Sequence, residues 1–98
     1  MAKSDFDAFC RTAFTFLEAT RTRYLVVGGL AVVAVGEPRI TGDVDVVAFL
    51  TPADAERLIT EASTAGFELQ RDVELERLRR TGTLRFRLGL FQLDIILA

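Results

Sequence analysis

Between Tyr24 and Leu50, apolar runs alternate with glycines, and this stretch constrains what the rest of the chain can fold around. Tyr24-Leu25-Val26-Val27 is apolar, rich in β-branched residues and continuous, which predicts a strand buried on both faces. Gly28 and Gly29 end it. Leu30 to Val35 is wholly apolar, too short to span a bilayer, and predicts a buried helix of two turns closed by Gly36. Glu37 to Gly42 is a loop: Pro38 ends any helix before it, and Gly42 permits a sharp entry into the next strand. Asp43 to Leu50, DVDVVAFL, reads as that second strand.

Two features of this stretch can bind something. A helix that starts directly after Gly28-Gly29 presents unpaired backbone N–H groups, which attract an anion. Alone, the glycine pair is more simply a tight turn. Arg39 can reach a phosphate, or can stand as a solvated loop arginine. Asp43 and Asp45 point to one face of their strand, about 7 Å apart along it. Two carboxylates on one face repel unless a cation lies between them, and hard oxygen ligands suit Mg²⁺ or Mn²⁺. Alone, the pair is more simply a solvated strand end.

The flanking segments supply a frame. Ser4 can cap a first helix, with Asp5 and Asp7 at its positive end. Phe6, Phe9, Cys10, Ala13, Phe14, Phe16 and Leu17 recur at helical spacing, so that helix packs against a sheet or a partner. Cys10 lies on the stripe as a packing residue. Thr51 with Asp54, and Pro52 at the first helical position, predict a helix to about Ala65 with Ala55, Leu58, Ile59 and Ala62 inward. Gly66 ends it. Phe67 to Gln70 predicts a short strand, and the charged run Arg71 to Arg80 a solvated helix or loop with mutual salt bridges. Thr83 to Leu88 and Phe91 to Leu97, joined at Gly89-Leu90, predict an antiparallel hairpin. Asp94, set between Leu93 and Ile95, needs a partner: an arginine or a metal.

Ninety-eight residues, half of them apolar, fit one small domain with a modest core, and no internal boundary or repeat appears. The net charge of −2 gives no general attraction to nucleic acid, and Lys3 is the only lysine. The single cysteine excludes an internal disulfide and a Cys-rich zinc site. The chain has no histidine, which removes Ser-His and Cys-His catalysis and histidine-ligated zinc. Any chemistry runs on carboxylates, hydroxyls, arginines and metal ions. No signal-peptide pattern opens the chain and no apolar run reaches membrane-spanning length, so the expectation is a cytoplasmic protein with no membrane partner.

Val27-Gly28-Gly29, then thirteen residues, then Asp43-Val44-Asp45-Val46, and later Leu93-Asp94-Ile95 resemble the nucleotidyltransferase signature of the DNA polymerase β superfamily. The wording GGLAVVAVGEPRITGDVDV is similar to small bacterial families related to AbiEii-type toxins and other small nucleotidyltransferases. The resemblance covers Tyr24 to Leu97. It implies an α/β (α+β) fold, with a mixed sheet of about four to five strands and helices packed on it. It implies that Asp43, Asp45 and Asp94 are catalytic and ligate two Mg²⁺ or Mn²⁺ ions. Gly28, Gly29, Arg39 and Thr41 would hold the phosphates of a nucleoside triphosphate, and Asp94 would stand next to the acceptor hydroxyl. Relatives usually continue into helices that shape the base and acceptor sites, whereas this sequence ends four residues after Asp94. Either it is truncated, or a partner protein or second subunit supplies that surface.

The function so implied is a metal-dependent nucleotidyltransferase that moves a nucleoside monophosphate from an NTP to a hydroxyl of tRNA or protein, in a toxin–antitoxin setting. Arg77, Arg79, Arg80, Arg85 and Arg87 offer a local nucleic-acid patch. One alternative is a catalytically inactive interaction module, an antitoxin or regulatory subunit, with the Phe-rich first helix as its docking face. Another is a small-molecule (antibiotic-type) nucleotidyltransferase.

Overall fold

The structure, a computed structural model, describes residues 3–27, 31–34 and 40–98. In chain order the elements are α1 (Lys3–Ala19), β1 (Tyr24–Val26), β2 (Ala31–Ala34), β3 (Ile40–Ala48), α2 (Pro52–Thr64), α3 (Arg71–Thr81), β4 (Thr83–Leu88) and β5 (Phe91–Leu97). They form a mixed five-stranded sheet with three helices, the expected fold class. β3 runs parallel to β5, from Gly42 opposite Phe91 to Ala48 opposite Leu97. β4 pairs antiparallel with the outer side of β5. The other edge of β3 is shared: β2 takes its first half and β1 its second, both antiparallel.

Alternation decides which face is covered. Val44, Val46 and Ala48 of β3, Leu93 and Ile95 of β5, and Leu84 and Phe86 of β4 are all fully buried. They join Phe6, Phe9, Ala13, Phe16 and Leu17 of α1 and Ala55, Leu58, Ile59 and Ala62 of α2 in one core. α1 lies on β3 and β5. Phe6 and Phe9 meet Phe91, and Phe16 meets Phe67 and Phe86, with ring centroids 5.2–6.1 Å apart. Phe14 stays half-buried and stacks on Tyr24. The phenylalanines of α1 therefore cover the chain's own sheet, as the helical stripe predicts, and are not the docking face of the interaction-module alternative.

Local chemistry sets the helix ends. Thr51 Oγ1 accepts from the Asp54 backbone N–H at 3.1 Å, half of the expected capping box. Asp54 does not complete it; its carboxylate accepts from Arg57 instead. The charged run Arg71 to Arg80 is helical, and α3 stops at Gly82, whose φ of 69° is a left-handed conformation that glycine adopts without strain. The expected strand Phe67 to Gln70 reduces to one bridge, Glu68 to Arg87. No helix among the described residues is long and apolar enough to cross a membrane.

Further expectations are overturned. Ile40, Thr41 and Gly42, read as the end of a loop, are the first residues of β3, because they pair with β2. Within the segment read as a helix, Ala31–Ala34 is strand β2. A two-turn helix fixes several residues for few hydrogen bonds, whereas four residues laid on the free edge of β3 enter a ladder already in place. Val32 and Val33 are β-branched and favour the strand. β1 is not buried on both faces either: Leu25 is 59% exposed, because helices cover only one side of the sheet and β1 lies at its edge.

Phe86 lies at the centre of the core, against Phe16 and Phe67. Phe86→Ala should lower unfolding free energy by about 3–5 kcal/mol. Urea unfolding followed by circular dichroism checks this; a loss under about 1 kcal/mol would place Phe86 outside the core.

Candidate functional site

The face of the sheet that no helix of the core covers carries the residues left over by the alternation. On β3 these are Asp43, Asp45 and Val47; on β5, Gln92, Asp94 and Ile96; on β4, Thr83, Arg85 and Arg87. Pairing lines them up across the strands. Asp45 stands opposite Asp94, which stands opposite Arg85. In the next row Asp43 faces Gln92, and Gln92 faces Arg87. On the other side runs an apolar row, Ile96, Val47 and Leu25. Neighbouring strands are about 4.8 Å apart, so the Asp45 and Asp94 carboxylates are immediate neighbours.

Hydrogen bonds fix the centre of this arrangement. Arg85 donates from Nε to Asp94 Oδ1 at 2.9 Å, and Gln92 donates from Nε2 to Asp94 Oδ2 at 2.9 Å. Partial burial raises the pKa of Asp45, and the charges of Asp94 and Asp43 and a hydrogen bond with Asp94 push it the same way; Arg85 opposes them. Arg85 in turn is held in its charged form, first by its hydrogen bond and ion pair with Asp94. The backbone of Arg85 is fixed from the other side. Its N–H donates to Oε1 of the buried Glu74 at 2.8 Å, and Glu74 also accepts from Arg77 Nε at 3.3 Å. A groove beside the acidic row is lined by Glu68, Gln70, Glu74, Arg77, Arg85 and Arg87 among others.

The three expected acids thus share one face, but not equally. Asp45 and Asp94 meet; Asp43 is exposed and stands one strand repeat away. No group of three or more acidic or cysteine side chains among the described residues converges on one point where a metal could sit. Gly28, Gly29 and Arg39 lie outside the described residues. Thr41 is in β3, opposite Val33. The anion site expected at a helix N-terminus after the glycines is not formed by Ala31–Ala34, since that segment is a strand.

Of the five arginines, Arg77, Arg85 and Arg87 line the groove, Arg77 and Arg80 line a second cleft with Asp72 and Thr81, and Arg79 is exposed on α3 and paired with Glu76. Three of the five hold carboxylates of the chain itself: Arg77 with Glu74, Arg79 with Glu76, and Arg85 with Asp94. Of the two partners open to Asp94, an arginine or a metal, the structure supplies Arg85. Its signal is in the sequence: folding the hairpin about a two-residue turn at Gly89-Leu90 places Arg85 opposite Asp94. Nothing in the sequence marks Glu74 as buried.

No family model matches the chain, and neither does any curated protein or solved structure.

The raised pKa of Asp45 has a definite sign for stability. The native state holds the Asp45 proton more tightly than the unfolded chain, whose carboxyl titrates near 3.8. This group's contribution is most favourable below that value and is lost as pH rises through the folded pKa. Asn cannot ionise, so Asp45→Asn should shift the urea midpoint upward at about pH 7, with the gain shrinking toward the acid end. A variant less stable than the parent at about pH 7 would show that the carboxylates do not repel.

Proposed function

We propose that the open face of the sheet holds a divalent cation and that the chain is a metal-dependent nucleotidyltransferase. The observation that carries this is the pairing of Asp45 with Asp94 on parallel strands, with Asp43 on the same face. Like-charged neighbours on a sheet are destabilising, and a bound cation offsets that cost. The donor chemistry suits the ion: carboxylate oxygens are hard ligands for Mg²⁺ or Mn²⁺, and three carboxylates against Arg85 and Arg87 leave an excess of negative charge on the face. Asp45 and Asp94 would be the principal ligands, with Asp43 serving a second ion or the phosphate side.

Bound there, the metal would stabilise charge on the attacking and leaving oxygens of an in-line displacement. In the transfer, the acceptor hydroxyl oxygen forms a bond to the α-phosphorus, the bond from that phosphorus to the bridging oxygen breaks, and pyrophosphate leaves. The hydroxyl proton passes to a carboxylate of the row or to solvent. Arg87, beside Gln92, can meet phosphate oxygens without leaving the face. The groove that contains Arg77, Arg85 and Arg87 favours an acceptor that itself carries phosphates, such as an RNA, over a protein hydroxyl. The chain would then modify RNA in the manner of toxin–antitoxin enzymes.

A second reading is favoured by the apolar row next to the acids. Leu25 and Ile96 are exposed and flank Val47, and Phe49 beyond the end of β3 is exposed as well. A protein partner seated on this face would cover them, and the chain would then act as a non-catalytic module.

Isothermal titration separates the two. NTP binding should require Mg²⁺ and weaken in Asp45→Ala by at least the loss typical of an outer-shell residue, about 10–100-fold. Equal binding by the variant removes the metal role. Incubation of the protein with α-labelled NTP, Mg²⁺ and total RNA should label RNA; a stable protein complex without label favours the module.

A further inference from the structure

The ion pair at the centre of the acidic row is an obstacle to the ion that the row would bind. Arg85 Nε lies 2.9 Å from Asp94 Oδ1, and the amide of Gln92 occupies Oδ2 of the same carboxylate. Asp94 is the inner member of the row, its side chain 22% exposed, while that of Arg85 is 42% exposed. The guanidinium is thus the more accessible partner and has open solvent and the adjoining groove to move into.

We propose that Arg85 is the resident counter-ion of this row: it holds Asp94 while no metal is present, and a divalent cation must displace it. The inference rests on the divalent-cation reading of the site and adds a residue that sets its affinity. A cation ligated by Asp94 would share a carboxylate with a positive guanidinium, and like charges that close repel. Arg85 is well suited to hold the row in the meantime. Its planar guanidinium stays charged at all working pH values and presents fixed donors to a carboxylate. Its backbone is anchored by Glu74 and by the β4–β5 ladder, so only the side chain needs to turn away. Arg85 already lines the groove with Arg77 and Arg87, so once it leaves Asp94 an incoming phosphate there can replace the carboxylate as its partner.

The test compares the parent protein with Arg85→Gln, using Mn²⁺ alone as probe and calorimetry as readout. Arg85→Gln should bind Mn²⁺ at least about tenfold more tightly, a change of about 1.4 kcal/mol. It should also unfold at a lower temperature in EDTA and gain more than the parent on adding Mn²⁺. Tighter binding is an effect that structural damage alone would not produce. On the parent protein itself, the Arg85 Nε–H resonance should be protected from exchange in EDTA and lose that protection on adding Mg²⁺. This second measurement holds if Arg85→Gln fails to fold. Equal or weaker Mn²⁺ binding by Arg85→Gln, or an Arg85 resonance unmoved while the Asp94 amide shifts, overturns the counter-ion role and leaves the metal site standing. No Mn²⁺ binding by the parent or by Arg85→Gln overturns the metal site, and the counter-ion role with it.

Discussion

The parallel pairing of β3 with β5 is the contact on which the other features depend. It joins residues 42–48 to residues 91–97, and every other element is placed relative to it. Its inner face sets Val44, Val46, Leu93 and Ile95 in the core, each fully buried and contributing about 1.5–3 kcal/mol. Its outer face is then fixed. A slip of one residue by either strand would turn its two core side chains to solvent, so the apolar face holds Asp45 opposite Asp94 despite their repulsion. The carboxylate row is a consequence of hydrophobic register, which is how a sheet can hold groups in an arrangement they would not adopt alone.

The repulsion is managed from β4. Arg85 comes to Asp94 because β4 and β5 form a tight hairpin, and β4 is itself anchored at its outer edge by Glu74 of α3 and by the bridge to Glu68. A buried carboxylate that accepts a strand's free N–H blunts an edge that would otherwise invite another strand. α3 therefore contributes to the site without touching the acids. It fixes the strand from which the counter-ion projects.

Legibility in the sequence depends on how local each signal is. The stripe of α1, the Thr51 cap of α2 and the Gly89-Leu90 hairpin are all set by neighbours within a few residues, and each matches its expectation apart from Asp54's part in the cap. The segment Ala31–Ala34 does not: a short apolar run fits a buried helix or a strand equally, and only the free edge of β3 decides between them. The exposure of Leu25 depends on which face the helices take, which no local pattern states. The three aspartates can be picked out, yet which two of them meet depends on a register between segments almost fifty residues apart. The Arg85 partner is within reach of simple counting from the turn.

The central claim is that a divalent ion binds where β3 and β5 bring Asp45 and Asp94 together. Paramagnetic broadening of backbone amide resonances by substoichiometric Mn²⁺ tests it most directly. The account predicts selective broadening of residues 43–46 and 92–96, which are adjacent only through the parallel pairing, with the amides of α2 unaffected. Broadening centred on the exposed acids of α2 and α3, or none at all, would contradict it.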